Sequence, residues 1–363
     1  MARRSGSAIA VLLLLVGLAA CSSAPDPHEV DADRVEHALA ALPEVTTASV
    51  DYTDRPSIGP RVQAVVRVRS GADQRALVAI STTFAAQRGA AGLGSAPADL
   101  RIQVPFPGES AQSRQEFRQQ DFGVPEAALS GQIGLWRDLV RAFGPAVSGV
   151  LTARTAVDPA TLPFRQKFTV DVPSDGRSTT TLLDAYRRLA ALPGADDPVH
   201  YWELVDAGTP LRSSLSSPYG LPSEQVTATW SELEDAFSNL PPGSDSGLSL
   251  VAYDGQWTVD SQITLPGVSM TTVPPGSFAP ATYRTLVWPL LTAQTRVLAR
   301  TGRPFAYRVA RVGVPGPDGG YDYFVRLAPN ECLRPIDDTG GGWGRDLRNY
   351  YEALPEHLPT SCP

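Results

Sequence analysis

Lysine occurs once in this chain, at Lys167, and thirty arginines carry the rest of its positive charge. Histidine is almost as scarce, with His28, His37, His200 and His357 alone in 363 residues. None of the four has a His-x-x-x-His or His-x-Glu companion, so a helical zinc site has no basis. A serine hydrolase of the elbow type needs Gly-x-Ser-x-Gly, and the chain has none. The penicillin-binding pattern Ser-x-x-Lys fails as well, because Phe164 stands three residues before Lys167. A phosphate-cradling loop is missing too. Gly340-Gly341-Gly342 follows Thr339 with no Lys-Ser or Lys-Thr after it. The net charge of −7 argues against nucleic acid or an anionic membrane surface as the main partner, since both reward basic proteins. Long apolar runs are also lacking, with one exception at the very start.

That exception is Ala8 to Leu18, preceded by Arg3 and Arg4 and followed by Ala19-Ala20-Cys21. A positive start, an apolar middle and small residues before a cut have the order of a secretory signal peptide over 1–20. The run is short for spanning ~30 Å of hydrocarbon as a permanent helix. The Leu18-Ala19-Ala20-Cys21 ending resembles the lipobox of bacterial lipoproteins. That resemblance implies a diacylglyceryl thioether on Cys21 and cleavage just before it. The mature protein is then expected on the extracytoplasmic face of the cell membrane, held there by acyl chains such as palmitate. Acyl burial stabilises such an anchor by about 0.8 kcal/mol per CH2. Residues 21–30, with Ser22, Ser23, Pro25 and Pro27, read as a flexible tether. Loss of Arg3 and Arg4 leaves 29 basic against 38 acidic residues. The excess of Arg, Ala, Gly and Pro resembles GC-rich actinobacterial coding.

An exported chain folds in an oxidising compartment, where Cys332 and Cys362 are expected to pair as a disulfide. Closing that loop stabilises the fold by about 3.5–4 kcal/mol on the chain-entropy model. A metal pair is the alternative, but no His or further Cys lies nearby to complete it.

The remaining length is too great for one ordinary core and reads as three α+β units. Unit 1 spans 31–106. Its first helix follows the capping cluster Asp31-Ala32-Asp33 and carries Val35, Ala38, Leu39 and Leu42 at helical spacing until Pro43. Two alternating strands follow, with Val50 central in one and Val62, Ala64, Val66 and Val68 in the other. A second helix carries Leu77, Ile80 and Phe84, and a third strand carries Leu100, Ile102 and Val104. Residues 107–130 read as a linker, a surface helix or loose chain. Unit 2 spans 131–206, with Trp136 and Val140 in its first helix, Leu182, Leu189 and Leu192 in its second, and Tyr201 and Trp202 on opposite sides of its last strand. A Ser, Pro and Gly-rich linker occupies 207–229. Unit 3 spans 230–312, with Trp230, Leu233 and Phe237 on its first helix, a hairpin around Asp254-Gly255, and a second helix kinked by Pro289. The three first helices begin near Ala32, Gly131 and Trp230, evenly spaced. Residues 313–363 form a disulfide-closed C-terminal extension with one more strand, Tyr321 to Leu327, and a short helix.

The expected fold is therefore α+β: tandem helix-strand-strand-helix-strand units, each a small mixed sheet with helices on one face. That order resembles the BON domains of bacterial envelope proteins, although glycine motifs of that family are missing. The resemblance implies association with membranes and assigns a role to no residue.

Carboxylates cluster at Asp196-Asp197, at Glu232, Glu234 and Asp235, and at Asp337-Asp338. Sequence neighbours seldom converge on one cleft at ~5–9.5 Å as glycoside hydrolysis requires, so capping and solvation are the expected roles. The second cluster reads as the first turn of a helix. One constellation is less bland. Alternation sends Arg61, Arg67 and Arg69 to one sheet face, where Arg101 and Gln103 join them. Guanidiniums gathered there would hold carboxylate or phosphate groups bidentately, or would simply form the solvated side of the sheet. No catalytic residue, metal or cofactor is assigned. The expected function is non-enzymatic: a lipid-anchored envelope protein that binds or scaffolds another envelope component, such as an acidic protein or polymer. The alternatives are an extracellular hydrolase whose carboxylates converge from different units, and a carrier of an apolar ligand.

Overall fold

The computed structural model describes residues 27–57, 59–105, 114–144, 147–151, 166–172, 178–206, 211–253, 255–266, 281–315, 321–329 and 343–358. The leader, Cys21, Cys332, Cys362 and the Asp337-Asp338 pair lie outside the described residues.

The fold is α+β, and a single unit recurs in it. The first copy is α1 (Pro27–Ala40), β1 (Val45–Arg55), β2 (Gly59–Val68), α2 (Gln74–Ala90), β3 (Ala98–Pro105) and β4 (Arg114–Gln119). The second is α3 (Glu126–Phe143), β5 (Val147–Leu151), β6 (Gln166–Val172), α4 (Ser178–Ala190), β7 (His200–Asp206) and β8 (Ser214–Ser217). The third is α5 (Glu224–Asp235), β9 (Asp245–Ala252), β10 (Trp257–Thr264), α6 (Ala281–Arg300), β11 (Phe305–Pro315) and β12 (Tyr321–Leu327), after which α7 (Trp343–Glu352) closes the helix layer. Units 1 and 2 thus carry one strand more than the sequence pattern suggests, and the strand expected over Tyr321 to Leu327 joins unit 3 as β12. The missed strands are β4, inside the expected 107–130 linker, and β8, inside the expected 207–229 linker. In β4 the inward positions are Gln115, Phe117 and Gln119, all buried, so a core-facing strand carries two amides and shows no apolar alternation. In β8 only Leu215 is an apolar inward residue between serines.

The units do not form separate small sheets, as the sequence reading expects. Among the described residues twelve strands lie side by side in chain order as one continuous sheet. Pairing alternates strictly. β1–β2, β3–β4, β5–β6, β7–β8, β9–β10 and β11–β12 are antiparallel, and every pair between them is parallel. A parallel neighbour needs a crossover, and a helix supplies each one. The joints between units, β4–β5 and β8–β9, have the same geometry as the joints within them. The unit is therefore two turns of a shorter motif, one helix followed by one hairpin, repeated six times.

One sheet face carries the core and the helices. Inward residues such as Val62, Ala64, Val66, Leu100, Ile102, Phe168, Trp202, Leu250, Val259 and Tyr307 are fully buried at alternate positions. Local signals place the helices against them. The Asp73 carboxylate accepts the Ala76 N–H at 2.8 Å to start α2, and Ser223 does the same for α5 through Val226 at 3.4 Å. The turns after α2, α4 and α6 use Gly92, Gly194 and Gly302, with φ of 77°, 79° and 62°. A Cβ is unfavourable there, so glycine is the residue that releases each helix into its strand. Two starts come earlier than the sequence pattern suggests. α1 begins at Pro27, inside the expected 21–30 tether, with proline at a position where its missing N–H costs nothing. His28 consequently stacks on Tyr52 at 4.9 Å instead of riding a leash. α3 likewise begins at Glu126 rather than near Gly131.

The third unit is pinned by a polar hub. The Gln294 side-chain oxygen accepts from the Ser261 hydroxyl at 2.8 Å and from the Tyr307 hydroxyl at 2.6 Å, and its amide donates to the Leu233 carbonyl at 2.9 Å. α6, β10, β11 and α5 are tied together through this one fully buried side chain. Burial pushes the Tyr307 phenol far above its ordinary range, so it stays a donor.

Candidate functional site

The opposite sheet face is open and polar. Thr47, Arg67, Gln103 and Glu116 occupy successive positions of one row across β1 to β4, and Thr169 and Glu203 pair in the same way across β6 and β7. Arg67 donates to the Gln103 carbonyl at 3.4 Å, Gln103 to Glu116 at 3.1 Å, and Thr169 to Glu203 at 3.0 Å. Lys167 pairs with Glu203 at 2.7 Å and lies 4.9 Å from the Tyr201 ring centre.

Arg61 and Arg67 project from β2 on the open side, Arg101 does so from β3, and Arg69 follows the end of β2. Asp99, 7% exposed, sits between Arg101 and Arg118, 3.3 Å from the first and 2.6 Å from the second. Glu116 stands one row away. The arginine face therefore holds its own carboxylates, and the field it offers an external anion is reduced accordingly.

The acidic cluster Glu232, Glu234 and Asp235 falls in the last turn of α5, not in a first turn. Its acids serve structure: Glu232 pairs with Arg300 across to α6, and Glu234 accepts the Ser213 hydroxyl at 2.7 Å. Three histidines are equally ordinary. Besides the stacked His28, His37 meets the Asp33 carbonyl at 2.7 Å and His357 the Leu354 carbonyl at 2.6 Å. Among the described residues no three His, Cys, Asp or Glu side chains gather as a metal site, and no helix is long and apolar enough to cross a membrane.

His200 differs. It opens β7 at 4% exposure, edge-on to the stacked pair Phe168 and Trp202, with ring centres 5.3 and 5.8 Å away. The Gly194 carbonyl lies near the ring. Nδ1 is buried and has no hydrogen-bond partner. Burial lowers its pKa below the ordinary 6.5, opposed by Asp197, by the Gly194 bond and by Asp196, which keeps the ring neutral near pH 7.

Two further buried amides share this condition. Gln166, the strand-register partner of His200, is fully buried with neither amide atom bonded. Gln132, on α3, is 7% exposed and its carbonyl oxygen is unpartnered. Leaving such groups unbonded costs about 1–3 kcal/mol each. Single orphaned atoms also occur at Arg88, Trp136, Trp230 and Thr295, but Gln132 and His200 line the same cavity.

That cavity is a cleft of about 600 Å³. α3 and α4 meet through Arg188, which donates to the Ala142 carbonyl and lies 4.6 Å from the Phe143 ring centre, and the cleft opens between α3 and the loop from α4 to β7. Val124, Leu135 and Val199 give it apolar walls, and Asp138 and Asp197 stand at it as carboxylates. Asp138 is held by Arg141 at 2.6 Å, and Asp197 accepts the Val199 N–H at 3.0 Å.

The repeat supplies an internal comparison. The place held by Gln166 and His200 in unit 2 is held by Val62 and Ala98 in unit 1 and by Trp257 and Phe305 in unit 3. Two units close this part of the core with apolar side chains. The third places an amide and an imidazole there, beside a cleft. The sequence showed His200 only as a histidine in an aromatic strand, and Gln132 and Gln166 not at all. The signal that would have found them is the register of the repeat.

No protein-family model, no curated protein and no solved structure matches this chain.

Proposed function

We propose that this chain is a lipid-anchored extracytoplasmic protein that works by binding, with the cleft beside α3 as its ligand site. The observation that carries the binding reading is the cleft itself, lined by Gln132 and His200, two residues with buried unpartnered polar atoms, in the unit whose Gln166–His200 pair departs from the apolar pattern. Buried polar groups are ordinarily satisfied, and a fold that keeps several unsatisfied at one cleft does so at a cost to stability. The anchor rests on Leu18-Ala19-Ala20-Cys21, which joins the protein to the outer surface of the cell membrane.

Both halves are testable in the native host. Cys21→Ser should abolish labelling by palmitate and leave an unprocessed precursor; normal labelling and processing would remove the anchor. For the cleft, Gly131 is the position to fill, since it lines the cavity and a Cβ added there meets nothing within 4 Å. Gly134 is unsuitable, because its Cβ would lie 3.2 Å from Gln74. Native mass spectrometry of the protein from its own membranes should show a small adduct that Gly131→Phe eliminates. An adduct that persists in the filled variant, or a wild-type mass equal to the bare lipoprotein, overturns the cleft as ligand site.

A further inference from the structure

A second pocket, of about 280 Å³, lies where units 1 and 2 meet. It sits on the helix side of the sheet, at the carboxyl ends of the parallel neighbours β2 and β3, beside Ser70 and Pro105. Val104 and Pro105 form its floor, and α3 covers it with Trp136 and Val140. Trp136 contributes its ring alone, tilted on Phe117 at 5.6 Å, because its N–H is sealed in the core. The charged side chains of the wall are both cations. Arg137 is half-buried and has no ion pair or hydrogen bond among the described residues. Arg141 is shared with Asp138, 2.6 Å away. No carboxylate is among the described residues that line the pocket.

Gln115 is the informative residue. It takes an inward position of β4 at 6% exposure, yet its amide bonds to no described residue. Unlike the Gln132 carbonyl, that amide is not sealed away from the pocket it lines. The repeat shows how the same place is closed elsewhere. Ser213 holds the corresponding inward position ahead of β8. Its hydroxyl donates to Glu234 at 2.7 Å and accepts the Leu248 N–H at 3.0 Å. The joint between units 2 and 3 is thus bonded shut by the chain itself. At the joint between units 1 and 2 an amide without a partner and a cation without a counterion are left around an open space.

We infer that this pocket binds a small carboxylate, its charge on Arg137, its oxygens within reach of the Gln115 amide, and its apolar body against Val104, Pro105 and Val140. A guanidinium presents paired N–H donors that match a carboxylate, and the Gln115 amide adds N–H donors of its own. The Ser70 hydroxyl stands exposed at the mouth as a further donor. An ammonium ligand would meet two cations. A neutral alcohol would leave Arg137 without a counterion. The site is separate from the cleft lined by Gln132 and His200, since the two draw on different residues of α3. Its standing does not depend on that cleft.

The experiment uses the full-length lipoprotein in a non-ionic detergent and three probes of one shape: benzoate, benzyl alcohol and benzylamine. Isothermal titration should give measurable binding for benzoate, with benzyl alcohol weaker by about tenfold or more and benzylamine silent. Arg137→Gln should weaken benzoate by about tenfold or more and leave the melting temperature level, because the side chain has no partner to lose. Gln115→Leu should also weaken benzoate, with a melting temperature that stays level or rises. Ser70→Trp obstructs the mouth from an exposed position and should eliminate benzoate binding; it keeps the test decisive if Gln115→Leu folds poorly. Gly131→Phe fills the other cleft and should leave benzoate binding unchanged. Four results overturn the inference: no benzoate binding, benzyl alcohol as tight as benzoate, benzoate bound equally by wild type, Arg137→Gln and Ser70→Trp, or benzoate lost in Gly131→Phe. The last of these would place benzoate in the other cleft, so the two sites stand or fall separately.

Discussion

The same substitution, glutamine to leucine, should have opposite effects at two fully buried positions of this protein. Gln166 and Gln294 are each 0% exposed. Gln166 makes no side-chain hydrogen bond, whereas Gln294 makes three, to Ser261, Tyr307 and the Leu233 carbonyl. At Gln166, leucine replaces an amide that has lost its water and gained nothing. The change removes a desolvation cost of about 1–3 kcal/mol and leaves a side chain of similar size between Leu151 and His200 in the sheet register. Gln166→Leu should therefore stabilise unit 2 by about 1–3 kcal/mol. At Gln294, leucine strands two hydroxyl donors and one carbonyl in a dry core. With roughly 1–3 kcal/mol for each orphaned group and incomplete additivity, Gln294→Leu should destabilise by about 3–6 kcal/mol. The two variants are expected to differ by at least about 4 kcal/mol.

Urea unfolding followed by far-ultraviolet circular dichroism reads both midpoints, and native-state hydrogen exchange assigns them to β6 and β10. Exchange matters because a repeat array need not unfold in one step. If Gln166→Leu lowers stability by more than about 1 kcal/mol, its amide has a partner in solution and the argument from orphaned groups fails with it. If Gln294→Leu is nearly neutral, the hub is not a hub.

Three further outcomes are expected. Non-reducing mass mapping of the exported protein should join Cys332 to Cys362, with reduction costing about 3.5–4 kcal/mol; free thiols at both positions would refute the pairing. The His200 pKa is lowered in the fold, so the unfolded chain takes up a proton near pH 6.5 that the folded chain resists. Stability should fall as the pH drops below that point and down through the folded value. A His200→Phe protein should lose that component, and superimposable pH profiles for the two proteins would contradict it. Finally, Arg67→Ala with Arg69→Ala should shift stability by no more than ~0.5 kcal/mol, as both side chains are exposed. If an acidic partner docks on this face, the double variant releases it and the wild-type complex is salt-sensitive; an unchanged pull-down assigns the face to solvent.

The α+β class and most elements were legible because ordinary periodicities carry them. Val62, Ala64, Val66 and Val68 announce β2, and Leu182 and Leu189 mark α4, since in those places the core is filled by apolar side chains alone. β4 and β8 were not legible for the same physical reason in reverse. Their inward positions include Gln115, Gln119, Ser213 and Ser217, which are satisfied or screened by tertiary neighbours that a local window does not contain. Gln119, for example, accepts from Ser81 on α2 and donates to the Asp121 carbonyl at 2.8 Å. The continuity of the sheet was hidden for a related reason, because the strands that join unit to unit are those two polar ones. The site was harder still. Nothing local distinguishes Gln132 from a solvated helix residue, and its isolation appears only when α3 is laid over the sheet.

Repetition is what makes the departure readable. A motif used six times sets its own standard for what each position should be, independent of any other protein. By that standard the start of β6 and β7 should be apolar, as Val62 with Ala98 and Trp257 with Phe305 are. Gln166 with His200 breaks the rule at a fully enclosed place, where a polar pair cannot be excused as surface variation. The break lies beside the cleft between α3 and the loop from α4 to β7, and neither feature requires the other. A packing defect alone would leave a cavity lined by Val or Leu. An idle polar substitution alone would be closed over by helix packing. Their coincidence is the physical argument for the proposal that unit 2 gives up stability for a site, in a sheet continued on either side by units 1 and 3.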